Sequence, residues 1–203
     1  MQVEAAGQEN AYVDTSSYEQ LYKLYEDYFK LGIACQAMDH WNDPTAEIGN
    51  QEKEELINRM FNSMTFGNEL KPAYNFDASS ENLFKVDFAA EEMLEWAKEN
   101  NMKVRGHVLV WHSQVDPSIF AIDYQAYADG KLTKSDTAKL DEECLVDREE
   151  LLARLKRYIY GVLEYTYKNG YADVIYAWDV VNEAADENQY DGLRRSYWYQ
   201  IIG

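Results

Sequence analysis

With 203 residues, 46% of them hydrophobic and 14% aromatic, the chain can bury a core, and its three Pro and ten Gly are too few for a disordered or collagenous sequence. Its 37 acidic residues against 19 basic ones give a formal charge of −18. That balance argues against nucleic acid and against an anionic membrane surface, because both attract Lys and Arg, and it leaves a neutral or cationic ligand open.

The start, MQVEAAGQEN, is polar and carries no signal-peptide pattern, although a leader replaced by Met would leave the same start. Residues 1–17 read as a polar lead-in and residues 18–203 as one domain. From Tyr18 to Phe29, Leu21, Leu24, Tyr25 and Tyr28 make a helical stripe. LGIACQ at 31–36 suits a short buried strand. Asn50 to Asn62 is a second helical candidate, using Leu56, Met60 and Phe61. SMTFGNELK, at 63–71, reads as a strand that ends in polar residues.

Asp87 is placed to cap a helix, behind which Ala90, Met93, Leu94 and Ala97 share one face. Asn100 and Asn101 can end it. KVRGHVLVWH, at 103–112, is an apolar run with polar residues set inside. An irregular acidic segment, about 121–147, precedes the longest helix, lined by Leu152, Leu155, Ile159 and Val162 and stopped by Asn169-Gly170. The run at 174–181 is near-continuously apolar, as strands buried on both faces are. SYWYQIIG at the end begins one more amphipathic piece. No stretch approaches the ~20 apolar residues of a membrane span.

Helix and strand alternate four times, with connections too long for hairpins. This predicts an α/β fold of parallel strands with helices outside, as an open doubly wound sheet or a closed barrel. There is no glycine-rich nucleotide loop. Cys35 and Cys144 show no metal spacing, so no zinc site is expected, and whether they pair is left open.

Three strand candidates finish in polar side chains: Asn68, Glu69 and Lys71; His107, His112 and Gln114; Asn182 and Glu183. In parallel α/β folds ligands bind at the carboxyl ends of the strands. Each residue alone has an ordinary explanation: Asn68 and Lys71 as turn residues, His107 as a core histidine, Trp111 as packing, Glu183 as a cap on the next helix. Their coincidence at one end of one sheet favours a shared site. A carboxyl group beside apolar and aromatic neighbours such as Trp178 has its charged form disfavoured, which suits a proton donor near neutral pH. Asn182 offers an amide to a hydroxyl and Trp111 a flat face to a sugar ring. Lys71, His107 and Gln114 offer further hydrogen bonds, so a neutral polyol polymer fits.

WDVVNEA (178–184), GHVLVWHSQ (106–114) and GNELK (67–71), in this order, resemble glycoside hydrolase family 10, and LGIA and LRRSYWYQIIG extend the likeness over nearly the whole chain from about residue 18. The resemblance implies an endo-β-1,4-xylanase on a (β/α)8 TIM barrel, of which this chain is the N-terminal half, about four β/α units. It implies Glu183 as general acid/base and Asn182 on the 2-hydroxyl of the sugar beside the scissile bond. Asn68 and Lys71 would hold sugars on the non-reducing side, with His107, Trp111 and Gln114 lining the same part of the cleft. Where the family usually carries Glu, this chain has Gly67. The resemblance also implies a retaining mechanism with a nucleophile from strand seven. A complementing chain or segment carrying strands five to eight is therefore expected, since a complete barrel takes about 250 residues. No metal or organic cofactor is expected, the partners are xylan or xylo-oligosaccharides, and secretion is implied by resemblance alone. A retaining glycosidase of other β-1,4-glucan specificity and a non-catalytic carbohydrate-binding or assembly subunit stay as alternatives.

Overall fold

The computed structural model describes residues 16–37, 43–123, 129 and 142–203. Residues 1–15 of the expected lead-in lie outside the described residues, as do 124–128 and 130–141 of the acidic segment. Four short strands, β1 (Gly32–Cys35), β2 (Ser63–Phe66), β3 (Lys103–Gly106) and β4 (Ile175–Trp178), form one sheet in chain order. Every pairing is parallel, with Gly32 opposite Ser63, Ser63 opposite Lys103 and Val104 opposite Ile175. Between Val104 and Arg105 the register shifts, so that Tyr176 is passed over.

The helices are α1 (Gln51–Met60), a single turn α2 (Pro72–Asn75), α3 (Phe88–Glu99), the 21-residue α4 (Arg148–Lys168) and α5 (Tyr197–Ile202). Helix α3 follows its sequence closely. The Asp87 carboxylate accepts the Ala89 N–H at 3.0 Å, satisfying a donor that the first turn leaves open. Ala90, Met93, Leu94 and Ala97 are fully buried against the sheet. Asn50 caps α1 and Asp147 caps α4 in the same way.

The buried face of α1 differs from the expected one, and that of α4 departs from it only at Leu152. In α1 the core residue is Ile57, while Leu56 is 48% exposed. In α4 the expected Val162 is buried and Leu155 and Ile159 are partly buried against the core, joined by buried Leu151 and Tyr158, while Leu152 points partly outward. Adjacent apolar residues offered a choice at Leu56–Ile57 and at Leu151–Leu152, and the surrounding packing selected the second and the first respectively. The stripe at Tyr18–Phe29 does not form an α-helix. Only Leu21–Leu24 coils, as a 3-10 turn with no side-chain cap, and Tyr18, Leu24, Tyr25, Tyr28 and Phe29 are exposed. A short helix holds only when tertiary packing covers its apolar face.

The expectation that 174–181 is buried on both faces is also corrected. Val174 and Ile175 are buried, but Tyr176, Val180 and Val181 are exposed. Among the described residues β4 is the last strand of the sheet and pairs with β3 alone, and β1 ends the sheet at the other side.

Two apolar clusters make up the core. One lies between the sheet and α3, around Met64, Val104 and Met93. The other packs Phe120, Leu151, Tyr158 and Val162 beneath the segments that follow β3. Trp178 touches both. Arg154 on α4 donates from Nη1 to the carbonyls of Ser118, Ile119 and Ala121, anchoring that segment. Among the described residues no helix is long and apolar enough to cross a membrane.

Candidate active site

The carboxyl end of β2 is fixed from beneath. Glu69 is fully buried, and its carboxylate accepts the N–H of Ala37 at 3.1 Å and that of Asn68 at 2.9 Å. Asn75 donates to the carbonyls of Glu69 and Lys71. On this base Lys71 Nζ donates to Asn68 Oδ1 at 2.8 Å. Burial lowers the Lys71 pKa below the ordinary lysine value, and the Glu69 charge partly offsets that.

The chains leaving β3 and β4 stay paired beyond the strands. Asp179 N–H donates to the Gly106 carbonyl, Leu109 N–H to Asp179, Val110 N–H to Val180 and Asn182 N–H to Val110, at 2.9–3.1 Å. This zipper brings Trp111 and His112 beside Glu183. The Trp111 indole N–H donates to Glu183 Oε2 at 2.9 Å, and His112 Nε2 lies 3.9 Å from the same oxygen. Trp111 is the hub of the group. Lys71 Nζ stands 5.1 Å from its ring centroid, the His107 ring 6.0 Å away, and Trp198 Nε1 donates to its carbonyl at 2.9 Å.

His107 Nδ1 lies 2.9 Å from Asp179 Oδ2, and Arg105 donates to Asp179 Oδ1 from Nε at 2.9 Å and pairs with it through Nη2 at 2.7 Å. Burial works to raise the Asp179 pKa, but the hydrogen bonds from His107 and Arg105 outweigh it and hold the carboxyl below its ordinary value. An ionised Asp179 accepts from Nδ1–H, which fixes the orientation of the imidazole.

Asn68, Lys71, His107, Trp111 and Glu183 are thus brought together. Asn182 joins Trp111, His112 and Glu183 in lining a hollow of about 300 Å³, closed on its other side by Leu155, Trp198 and Ile202. Asn68, Lys71 and His107 do not line that hollow and connect to it through Trp111. Gln114 holds Ala73 N–H on its backbone carbonyl at 2.8 Å, and among the described residues no hydrogen bond ties its amide to the others. Trp178 is not the aromatic neighbour of the carboxylate. It lies over Gly106, and the Glu183 side chain is 51% exposed, so the expected desolvation is only partial. At Gly67 the space of a side chain is taken by Gln36, whose Cγ lies 2.7 Å from where a Cβ would stand.

Sequence reasoning placed His112 among the polar strand ends without giving it a role, and did not single out Asp179, Arg194 or Trp198 as part of the site. Asp179 carried a signal, as the one polar residue in its apolar run. Arg194 donates from Nε to the Glu183 carbonyl at 2.8 Å. Glu183 itself has φ +51°, a left-handed backbone that costs a non-glycine residue about 1–2 kcal/mol. Among the described residues no group of three or more His, Cys, Asp or Glu is placed to hold a metal ion.

The chain is 36% identical over 184 residues to endo-1,4-beta-xylanase A of Thermotoga maritima and 39% identical over 183 residues to endo-1,4-beta-xylanase A of a Caldicellulosiruptor species. Each match covers 90% of this chain but 14% and 23% of the relative. The structure superposes on TsXylA, described as an intracellular xylanase from Thermoanaerobacterium saccharolyticum, in a mutant complex with xylotetraose. The TM-score is 0.69 at 31% identity, covering 92% of this chain and 49% of that one. The chain therefore spans less than half the length of these proteins, and its parallel strands and outer helices are part of a (β/α)8 barrel. The sequence profile described as Glycosyl hydrolase family 10 matches residues 20–203, through all four strands and the ends that carry Lys71, Trp111 and Glu183, and the chain belongs to that family.

Proposed function

We propose that this chain supplies the general acid/base and the non-reducing-side sugar sites of an endo-acting, retaining β-1,4-xylanase. A further segment carrying strands five to eight, in a longer polypeptide or a second chain, brings the nucleophile and closes the open edges of β1 and β4. Residues 18–203 act as one unit and 1–17 as a lead-in. The observation that carries the reading is the bond from Trp111 Nε1 to Glu183 Oε2, at 2.9 Å, on a ring that also faces Lys71.

On this reading each oxygen of Glu183 has a task. The indole N–H cannot be surrendered, so Oε2 acts as an acceptor and the acidic proton sits on Oε1. Glu183 donates this proton to the glycosidic oxygen while a carboxylate about 5–5.5 Å away attacks the anomeric carbon. Glu183 then takes a proton from water, which releases the sugar from the covalent intermediate. Asn182 holds the 2-hydroxyl beside the scissile bond. Asn68 and Lys71 bind sugars on the non-reducing side, and His107, Trp111 and Gln114 line the same stretch. The chemistry calls for neither metal nor organic cofactor.

Two relatives, a thermostable celloxylanase from Thermoclostridium stercorarium and exoglucanase XynX from Acetivibrio thermocellus, are each 35% identical to the chain, which favours testing a wider β-1,4-glucan range. The test is co-expression of the chain with a family segment spanning strands five to eight, assayed on xylan, cellulose and mannan. Hydrolysis of xylan by the pair, lost in Glu183→Gln, is expected. Full activity of the 203 residues alone overturns the need for a complement. Sugar binding without cleavage by the pair supports the carbohydrate-binding alternative. We place the enzyme outside the cell because xylan is insoluble, and fractionation of the source cells tests this.

A further inference from the structure

Arg194 and Arg195 are adjacent and do different things. Arg195 is tied to its own loop, with Nη2 2.8 Å from Asp191 Oδ2 and its guanidinium 4.1 Å from the Tyr199 ring centroid. Arg194 turns back to the strand end. Its Nε donates to the Glu183 carbonyl at 2.8 Å, its Nη2 to the Ala185 carbonyl at 3.4 Å, and its backbone N–H to the Ala184 carbonyl at 2.9 Å. One residue thus holds three consecutive carbonyls.

The first of these carbonyls matters because Glu183 sits at φ +51°. A residue with a side chain stays in that region only where its surroundings over-determine it. On the upstream side, Asn182 N–H is fixed to the Val110 carbonyl at 2.9 Å. On the downstream side the restraint on Glu183 itself is the Arg194 side chain, in a charge-assisted bond. The Glu183 side chain is half exposed, so few contacts of its own fix it. Its backbone conformation decides whether the carboxylate meets Trp111.

We propose that Arg194 is a positioning residue that locks the left-handed backbone of Glu183 and so aims its carboxylate at the Trp111 indole. The loop itself does not depend on this side chain. Ala185 pairs with Leu193, and Asp186 N–H donates to the Gly192 carbonyl at 2.9 Å, so Arg194→Gln, shorter and uncharged, withdraws the charged donor from the Glu183 carbonyl without dissolving the loop. The consequence for turnover rests on Glu183 being the acid/base, but the geometric consequence does not.

The test reads both. In ¹⁵N spectra of the full chain, the Trp111 indole N–H reports its bond to Glu183, and Glu183→Ala marks the unbonded position. Arg194→Gln is expected to move the Trp111 signal toward that position while the Trp96 and Trp178 indoles stay in place. Arg194→Lys, which keeps a charged donor, is expected to move it part of the way. In the enzyme completed with strands five to eight, Arg194→Gln is expected to lower kcat roughly 10- to 100-fold with KM little changed, and Arg194→Lys to restore part of it. An unmoved Trp111 indole in Arg194→Gln overturns the inference whatever the kinetics. If Arg194→Gln unfolds, the Arg194→Lys spectrum decides, and a Trp111 signal at its original position overturns it. An inactive completed enzyme counts against the proposed function, while the indole shift still decides the role of Arg194.

Discussion

Gly106 closes β3 directly opposite Trp178 of β4, and that contact permits a sharp perturbation. A Cβ built on Gly106 would stand 2.3 Å from Cε3 of the Trp178 ring, 2.5 Å from Cδ2 and 2.6 Å from Cζ3. Carbon atoms rest about 3.5–4.0 Å apart, so the ring must retreat by roughly 1 Å or more. An indole cannot bend as the end of a lysine can, and Trp178 packs against both core clusters. Overpacking of this kind costs about 1–3 kcal/mol, and we expect Gly106→Ala to lie at the upper end of that range. The shift also reaches the site, because the Asp179 N–H that follows Trp178 donates to the Gly106 carbonyl at 2.9 Å. The assay is urea unfolding followed by tryptophan fluorescence, with near-ultraviolet circular dichroism for ring packing. A variant within about 0.5 kcal/mol of the parent, with an unchanged near-ultraviolet spectrum, would refute the reasoning, since surface-like behaviour there is incompatible with the contact.

Gly67→Ala makes the opposite case: its new methyl meets Gln36, a flexible side chain, at 2.7 Å, so a loss below about 1 kcal/mol is expected by urea unfolding, and a loss equal to that of Gly106→Ala would contradict it. Asp179→Asn tests the pH dependence. The folded Asp179 carboxyl lies below its ordinary 3.8, so its stabilisation is complete above that value and fades as pH falls through the lower folded one. The variant should lose about 1–3 kcal/mol at pH 7 and converge with the parent in strong acid, and a gap that grows on acidification would defeat the assignment. Burial, reinforced by the Glu47 and Glu69 charges, pushes the Cys35 thiol up to about 12, whereas Cys144 is only half-buried. Iodoacetamide at pH 8 should therefore label Cys144 and spare Cys35 until the chain unfolds, as peptide mass spectrometry can show. Met93→Ala should cost about 2–5 kcal/mol, because the fully buried Met93 fills the interface of α3 with the sheet, and a melting curve that does not move would exclude that packing.

What the sequence determined by itself is local or periodic. The face of α3, its Asp87 cap and the strand–helix alternation were legible because each depends on residues a few positions apart, and alternation with long connections leaves parallel pairing as the economical solution. The polar ends of the strands were legible as one site because a parallel sheet puts all its carboxyl ends on one side. Tertiary structure alone decided who bonds whom within that group. Trp111 meets Glu183, and His107 meets Asp179, each across 72 positions of sequence, through a backbone zipper that continues past the strands. It also decided between adjacent apolar residues such as Leu56 and Ile57, which a helical period alone cannot rank. The stripe at Tyr18–Phe29 and the open flank of β4 make the same point from the other side. An apolar pattern states what a segment would bury, and only a surface packed against it makes that burial happen.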